Sequence, residues 1–345
     1  MKILVTGGAG YVGSVLVPKL LARGHQVRVL DRMFWGLPHY AGAPGVELVN
    51  ADVRRLPEGI FEGIDAIDHL AGFSNDPTAE YSPEANWQMN ALATETLARL
   101  AKEAGVRRFV FGSSCSLYDG ICEDGRLLDE AAAIEPRGAY ATSKRYAELR
   151  LLELADERFE PVILRQATVF GPSQRMRFDL VVNAFVKDAL VRGTLTLHGG
   201  GYMWRPLVSV DDLADVHIAC LEAPSELVAG EIFNVVQDNY RIRDLADTVS
   251  EALARIGRPV VLVDGPLPRI VRNYRCSGEK IRRRLGVSFP TTVADAVEQL
   301  VREYESWPPE AFFHPRFYNI AWMELLEMVR PAFQATHHIF EPIED

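Results

Sequence analysis

The opening stretch MKILVTGGAGYVGSVLVPKLLARGHQVRVLDR constrains the fold more than any other part of the chain. KILVTG is a short apolar run without strict alternation, which marks a strand buried on both faces. YVGSVLVPKLLARG has helical spacing, and QVRVLDR is a second apolar run. Parallel neighbours need such a crossover, because a tight hairpin can only join antiparallel strands. The alternation continues through AIDHLAG, MNALATETLARLAKEAG, RRFVFGSS, GAYATSKRYAELRLLELA and PVILRQATVFG. A chain of this rhythm predicts an α/β fold with a parallel sheet between two layers of helices.

Within the first unit, Gly7, Gly10 and Gly13 form GxxGxxG between strand and helix, enclosing Tyr11 and Val12. Glycines there permit a tight turn and let backbone N–H groups meet a pyrophosphate at a helix N-terminus. The second strand ends in Asp31, where a carboxylate can accept from the hydroxyls of an adenosine ribose. Together they predict a Rossmann-type, doubly wound domain that binds a dinucleotide. Arg32 is placed to pair with a 2′-phosphate, but Asp31 would repel one, so NAD is expected ahead of NADP. NADVR, Asn50 to Arg54, sets Asp52 and Val53 near the adenine edge.

The chain has 345 residues, 48% hydrophobic and 24% charged, enough for one large core or two domains. After Gly171 and Pro172 the rhythm breaks into a polar and aromatic stretch. We expect a dinucleotide domain from 1–172 with returning segments at about 206–236, and a smaller mixed α/β substrate domain from 173–205 and 237–345. Helices are expected at Ile242 to Ile256 and Val293 to Glu305, and the run Arg282 to Arg284 as a solvated helix face. A net charge of −10 argues against a nucleic-acid partner, since that affinity needs cationic side chains. Cys115, Cys122, Cys220 and Cys276 lack ligand spacing, and His314, His337 and His338 have no acidic or Cys companion at useful spacing, so no metal is expected. No apolar run reaches membrane-spanning length and no signal segment is visible, so a cytoplasmic protein without a membrane partner is expected.

Gly138 to Ala155 reads as an amphipathic helix with Leu149, Leu152 and Ala155 on its apolar stripe. Tyr140 and Lys144, four apart, share one face. An arbitrary YxxxK is a surface pair of no consequence. Here it follows a glycine turn at a distance that resembles the extended short-chain dehydrogenase/reductase family, of the nucleotide-sugar epimerase/dehydratase type. DHLAG, NALAT, FGSSCSLYD, LRQATVFGP and WRPLVSVDDLAD resemble that family's intermediate motifs, so the likeness spans roughly residues 1 to 300 and excludes the aromatic C-terminal tail.

The resemblance implies that Tyr140 is the acid/base, with Lys144 favouring its phenolate and binding the nicotinamide ribose, and that Ser114 holds the reacting oxygen. It also implies cofactor contacts at Leu70, Ala71, Gly72 and Asn90, and substrate contacts at Ser116, Asn183 and Arg205, with Arg269 or Arg272 as a second cation and Arg175 as a further candidate. The family's 4,6-dehydratases carry Asp-Glu after the serine. Cys115 and Ser116 stand there instead, and Cys115 is expected to be a packed thiol facing away from the sugar. Asp211 and Asp212 are read as helix-start residues rather than a metal or acid/base pair. The expected function is therefore an NAD-dependent nucleotide-sugar 4-epimerase acting on a nucleotide-diphosphate sugar, in a homodimer. A 4-dehydrogenase or ketoreductase uses the same three residues. A non-catalytic dinucleotide sensor would typically lack the Tyr-Lys pair, and an enzyme for apolar alcohols would not need Arg205.

Overall fold

In a computed structural model, which describes residues 1–121, 126–267 and 272–336, seven parallel strands form the main sheet. In chain order the strands are β1 (Lys2–Thr6), β2 (Gln26–Asp31), β3 (Val46–Asn50), β4 (Ala66–His69), β5 (Arg108–Ser114), β6 (Glu160–Gln166), β7 (Thr168–Phe170), β8 (Thr194–His198), β9 (Trp204–Ser209), β10 (Ile232–Val235), β11 (Asp238–Arg241) and β12 (Val261–Gly265). The main sheet has the order β10-β6-β5-β4-β1-β2-β3. Strand order reverses between β1 and β4, and the crevice at the carboxyl ends of strands flanking such a point is where open α/β sheets bind ligands. Ile3, Leu4, Val5, Ile67, Phe109, Val110, Phe111, Ile163 and Leu164 are fully buried, as strands covered on both faces require.

The segments after Gly171 and after Val236 contribute most of a second, smaller body. It contains the sheet β11-β9-β7 and the parallel pair β12-β8. Its core gathers Phe178, Val182, Leu195, Leu245, Val249, Val297 and Leu300 with the aromatic residues Tyr304, Phe312 and Phe317. Phe178 lies 5.3 Å from both Phe312 and Phe317, so the start of the aromatic tail covers the protein's own core. The helices Ile242–Arg255 and Val293–Tyr304 bury one stripe each, the second opening with a Thr292–Asp295 capping box.

Two local expectations change. The Gly138–Leu154 helix buries Tyr140, Ala141, Ser143, Lys144, Ala147, Glu148 and Leu151, while Leu149 is 40% exposed. Its inner face is lined by small and ionisable residues, so hydrophobicity alone selected the wrong stripe. The arginine run is not simply solvated either: Arg282 donates to the carbonyls of Val236 and Gln237, and Arg284 to those of Leu227 and Glu226. Cys122, His337 and His338 lie outside the described residues.

Candidate active site

A cleft of about 450 Å³ runs along the carboxyl edge of the main sheet, lined at one end by Gly7, Gly10, Tyr11, Val12 and Gly13 and at the other by Ser114, Ser116, Tyr140, Arg205 and Arg272. The glycine end is built by close backbone approach. A Cβ on Gly7, whose φ is +75°, would come within 2.6 Å of the Ala71 nitrogen, and one on Gly13 within 2.4 Å of the Gly8 carbonyl oxygen. The helix Gly13–Ala22 that starts there has no side-chain cap and no acidic residue in its first turn. Its positive dipole end, with no carboxylate beside it, therefore fits an anionic pyrophosphate.

Asp31 braces this turn, accepting from the Ala9 nitrogen at 3.1 Å and the Met33 nitrogen at 2.8 Å. Burial pushes its carboxyl pKa upward, opposed by the backbone donors of Met33, Ala9 and Arg32 and by the charge of Arg175. Arg32 is engaged by Asp52 at 2.8 Å, and Asp52 is also held by Arg54, whose hydrogen bonds keep its pKa far below the usual range. A 2′-phosphate would have to compete for Arg32 with that carboxylate. Val53 is buried, and Leu70 and Gly72 line the cleft beside the turn.

At the other end, β5 presents Ser114 and the Gly138–Leu154 helix presents Tyr140 and Lys144. The first turn of that helix is fixed from outside, because Glu80 accepts from the Ala139 nitrogen at 2.9 Å and Asn86 donates to the Ala139 carbonyl at 2.9 Å. One turn beyond Lys144, fully buried Glu148 accepts from Ser113 at 2.6 Å and from both sides of the Arg165 guanidinium. This satisfied network locks helix to sheet and sets where the Tyr140 and Lys144 side chains begin.

Tyr140 is hydrogen-bonded to Ser114. Burial pushes its phenol pKa up to about 12, with the charge of Asp76 adding to the rise, while Ser114, Arg272 and Arg177 pull it down. The sequence reading gave that lowering to Lys144; Ser114 and the two arginines come ahead of it. Lys144 lies over the Phe111 ring at 4.7 Å and donates to the Gly112 carbonyl at 2.8 Å. Burial draws its pKa down to about 8, against the attraction of Glu148.

Ser116 lines the cleft, whereas Cys115, which opens the 3-10 turn after β5, is fully buried outside the cleft lining, its Sγ donating to the Arg165 carbonyl oxygen at 3.1 Å. Arg205 and Arg272 meet at the substrate end, the Arg205 guanidinium donating to the Arg272 carbonyl. Arg272 is ion-paired with Asp76, a buried carboxylate that the sequence reading missed. Its signal was the Asn75-Asp76-Pro77 helix start, with Asn75 capping the Thr78 nitrogen.

Three expected contacts are placed elsewhere, and one is not described. Asn90 accepts from the Phe73 nitrogen at 2.7 Å and donates to the Phe73 carbonyl and to Asn86, so it holds the Gly72–Phe73 loop from behind. Asn183 is fully buried, accepting from the Gly171 nitrogen and donating to the Tyr11 hydroxyl and the Arg177 carbonyl, so its amide is spent on tying the two halves together. Arg175 sits toward the dinucleotide end, 4.0 Å above the ring of Trp35, which lines the cleft with it. Arg269 lies outside the described residues.

Known proteins of similar sequence and fold come from one family. UDP-glucuronic acid decarboxylase 1 of Xenopus tropicalis is 31% identical over 262 residues, covering 72% of this chain and 61% of that protein's length. A dTDP-glucose 4,6-dehydratase from Streptomyces venezuelae, solved with NAD bound, is 28% identical with a TM-score of 0.75, over 89% of this chain and 98% of that one. UDP-glucose 4-epimerase from Thermotoga maritima, solved with UDP-glucose, is 25% identical with a TM-score of 0.76, over 88% and 98%. The model of the NAD dependent epimerase/dehydratase family matches residues 3–235, from the first strand through β10. With two thirds of its length matched and the cleft built as the motifs require, this chain belongs to the NAD-dependent epimerase/dehydratase family of enzymes.

Proposed function

We propose that the protein is a nucleotide-sugar epimerase of the 4-epimerase type, oxidising one sugar carbon transiently and returning the hydride to its other face. Gly7, Gly10, Tyr11, Val12, Gly13 and Asp31 would hold NAD, with Leu70, Gly72 and Lys144 along its length. Bound NAD supplies the hydride acceptor and donor. Tyr140 takes the proton from the sugar hydroxyl and gives it back, while Ser114 holds the same oxygen; Arg205 and Arg272 grip the diphosphate.

The observation that carries this reading is the wall after Ser114. A dehydratase needs an added acid and base there, but Cys115 is fully buried outside the cleft lining and Ser116 offers only a hydroxyl. A second reading is decarboxylation of a UDP-uronate, favoured by the 31% identical relative. Oxidation at C4 turns a uronate into a β-keto acid, which loses its carboxyl group as CO2; the later reduction uses the same hydride. Asp76, buried close to Tyr140, opposes a second carboxylate there.

The purified chain incubated separately with UDP-glucose, UDP-glucuronate and dTDP-glucose distinguishes these. Epimer without net NADH or CO2 is the expected result. CO2 and a pentose product from UDP-glucuronate would establish the second reading, stoichiometric NADH a dehydrogenase, and no conversion of any sugar a binding protein.

A homodimer accords with the surface beside this site. Trp87, Leu92 and Leu149 are 36%, 41% and 40% exposed on adjoining helices, and the Trp87 ring lies 4.9 Å from that of Tyr146. A second copy burying this face would remove apolar area from water. Light scattering is expected to return twice the chain mass, and Leu149→Glu to return one chain mass; a monomeric wild type would reject the dimer.

A further inference from the structure

The tail beyond residue 315 is not used in the chemistry, yet it reaches the dinucleotide end of the cleft. Asn319 opens the Asn319–Thr336 helix. Its Oδ1 accepts from Arg175 Nη2 at 2.6 Å and its Nδ2 donates to Ser74 Oγ at 2.9 Å. Trp322 donates its indole N–H to the Phe34 carbonyl at 2.7 Å. One helix therefore ties the loops after β2, β4 and β7, which form the rim above the glycine turn.

At the centre of that rim, Arg175 is 7% exposed, and its Nε and Nη1 have no hydrogen-bond partner. The indole Nε1 of Trp35, on which it stacks, has none either. Leaving such N–H groups unpaired in a buried place forfeits the hydrogen bonds they make to water in the unfolded chain. Burial, with repulsion from Arg177, draws the guanidinium pKa down to about 9. Guanidinium and indole only donate, so what satisfies them is rich in acceptors and negative in charge.

Two anions belong to this cleft, and the surroundings separate them. Arg175 feels Arg177, Asp179, Arg316 and Tyr11, and its charge acts on Asp31. Arg205 feels Tyr274, Arg272, Asp119 and Asp76. Arg177 and Arg272 both act on Tyr140 between them, and the stacking of Arg175 on Trp35, in the loop after β2, sets it on the side of the glycine turn and the end of β2. We infer that Arg175, stacked on Trp35 and latched by Asn319, binds the diphosphate of the dinucleotide from the side opposite the glycine turn, so that the C-terminal helix keeps the cofactor in place between turnovers. The inference rests on the reading that this cleft works with NAD, and deepens it: an enzyme that returns its own hydride gains from a cofactor that does not leave.

The test uses the full chain stripped of dinucleotide, with NADH, NADPH and UDP as probes. Arg175→Met is expected to weaken NADH and NADPH alike by about ten- to a hundredfold, the effect of losing charge-assisted hydrogen bonds, and to leave UDP unchanged. Arg175→Lys, which keeps charge but loses the fork, should fall between. Because the free protein buries two unpaired N–H groups of Arg175, the Arg175→Met apoprotein should melt no lower than wild type while its stabilisation by NADH shrinks. Asn319→Ala should raise the NADH dissociation rate.

Unchanged NADH affinity in Arg175→Met would overturn the inference, as would weakening of UDP alone, which would place Arg175 on the sugar diphosphate, or of NADPH alone, which would place it on a 2′-phosphate. An Asn319→Ala variant with wild-type NADH release would overturn the latch. Epimerisation by a variant whose NADH binding is unchanged would remove this inference and leave the proposed function standing; a wild type that binds no NADH would remove both.

Discussion

Replacing Tyr140 with phenylalanine is expected to lower turnover by about 10²–10⁴-fold while NADH binds as before. The ring is buried at 6% exposure in the first turn of a helix anchored by Glu80 and Asn86, so its position survives loss of one oxygen. What goes is the atom that exchanges a proton with the sugar, together with its hydrogen bond to Ser114. The glycine turn, at the other end of the cleft, is untouched. In the free protein the phenol sits near pKa 12, too high for a base at neutrality, and Ser114, Arg272 and Arg177 are the groups that oppose the rise. Single-turnover assays with the sugar, alongside NADH fluorescence titration, separate the two effects. Turnover within tenfold of wild type would remove Tyr140 from the chemistry.

The parts legible in the sequence share a physical property: their function is written in local backbone geometry or in a spacing along one element. Gly7 and Gly13 stand where a Cβ would collide with backbone, and such positions announce themselves as glycines. Tyr140 and Lys144 are four apart on one helix, so one periodicity brings them together. The run of buried strands was readable because a sheet covered on both faces needs no alternation.

Arg175 shows what was not legible. Its sequence neighbours place it in the loop entering the smaller body, beside the substrate; its stacking partner Trp35 and latch Asn319 come from distant parts of the chain. Asn90 and Asn183 were near the right loops but spend their amides on backbone and on the side chains of Asn86 and Tyr11, partners that spacing along the chain does not disclose. Leu149 misled because apolar character alone does not say which face of a helix is turned inward, and the inner face of this one holds Tyr140, Lys144 and Glu148. The start of the aromatic tail covers the protein's own core through Phe312 and Phe317, but nothing in its composition told that Asn319 continues to the cofactor rim.

Lys144→Met should move activity and stability in opposite directions. Lys144 is 5% exposed, and burial has brought its pKa from 10.5 to about 8, a penalty of roughly 3 kcal/mol for keeping it charged at neutral pH. Methionine fills similar space without that penalty. The substitution loses the hydrogen bond to the Gly112 carbonyl and the contact with Phe111, each worth about 1 kcal/mol, so the free protein is expected to gain about 1 kcal/mol at pH 7. Between pH 8 and 10.5 the unfolded chain holds a proton that the folded lysine has released, so wild-type stability rises with pH through that window. The advantage of Lys144→Met is therefore largest below pH 8, shrinks across the window and reverses above it, where only the lost contacts remain. Turnover should meanwhile fall by about a hundredfold or more, since the cation one helical turn from the tyrosine is gone, leaving Arg272 and Arg177 as the charges that oppose the rise in its pKa, and the nicotinamide ribose loses its donor. Urea unfolding at pH 7 and pH 10 tests the first half, and the sugar assay the second. A variant less stable than wild type at pH 7 would show that Lys144 is a structural cation, whose charge the fold needs for itself rather than holds, at a cost, for the reaction.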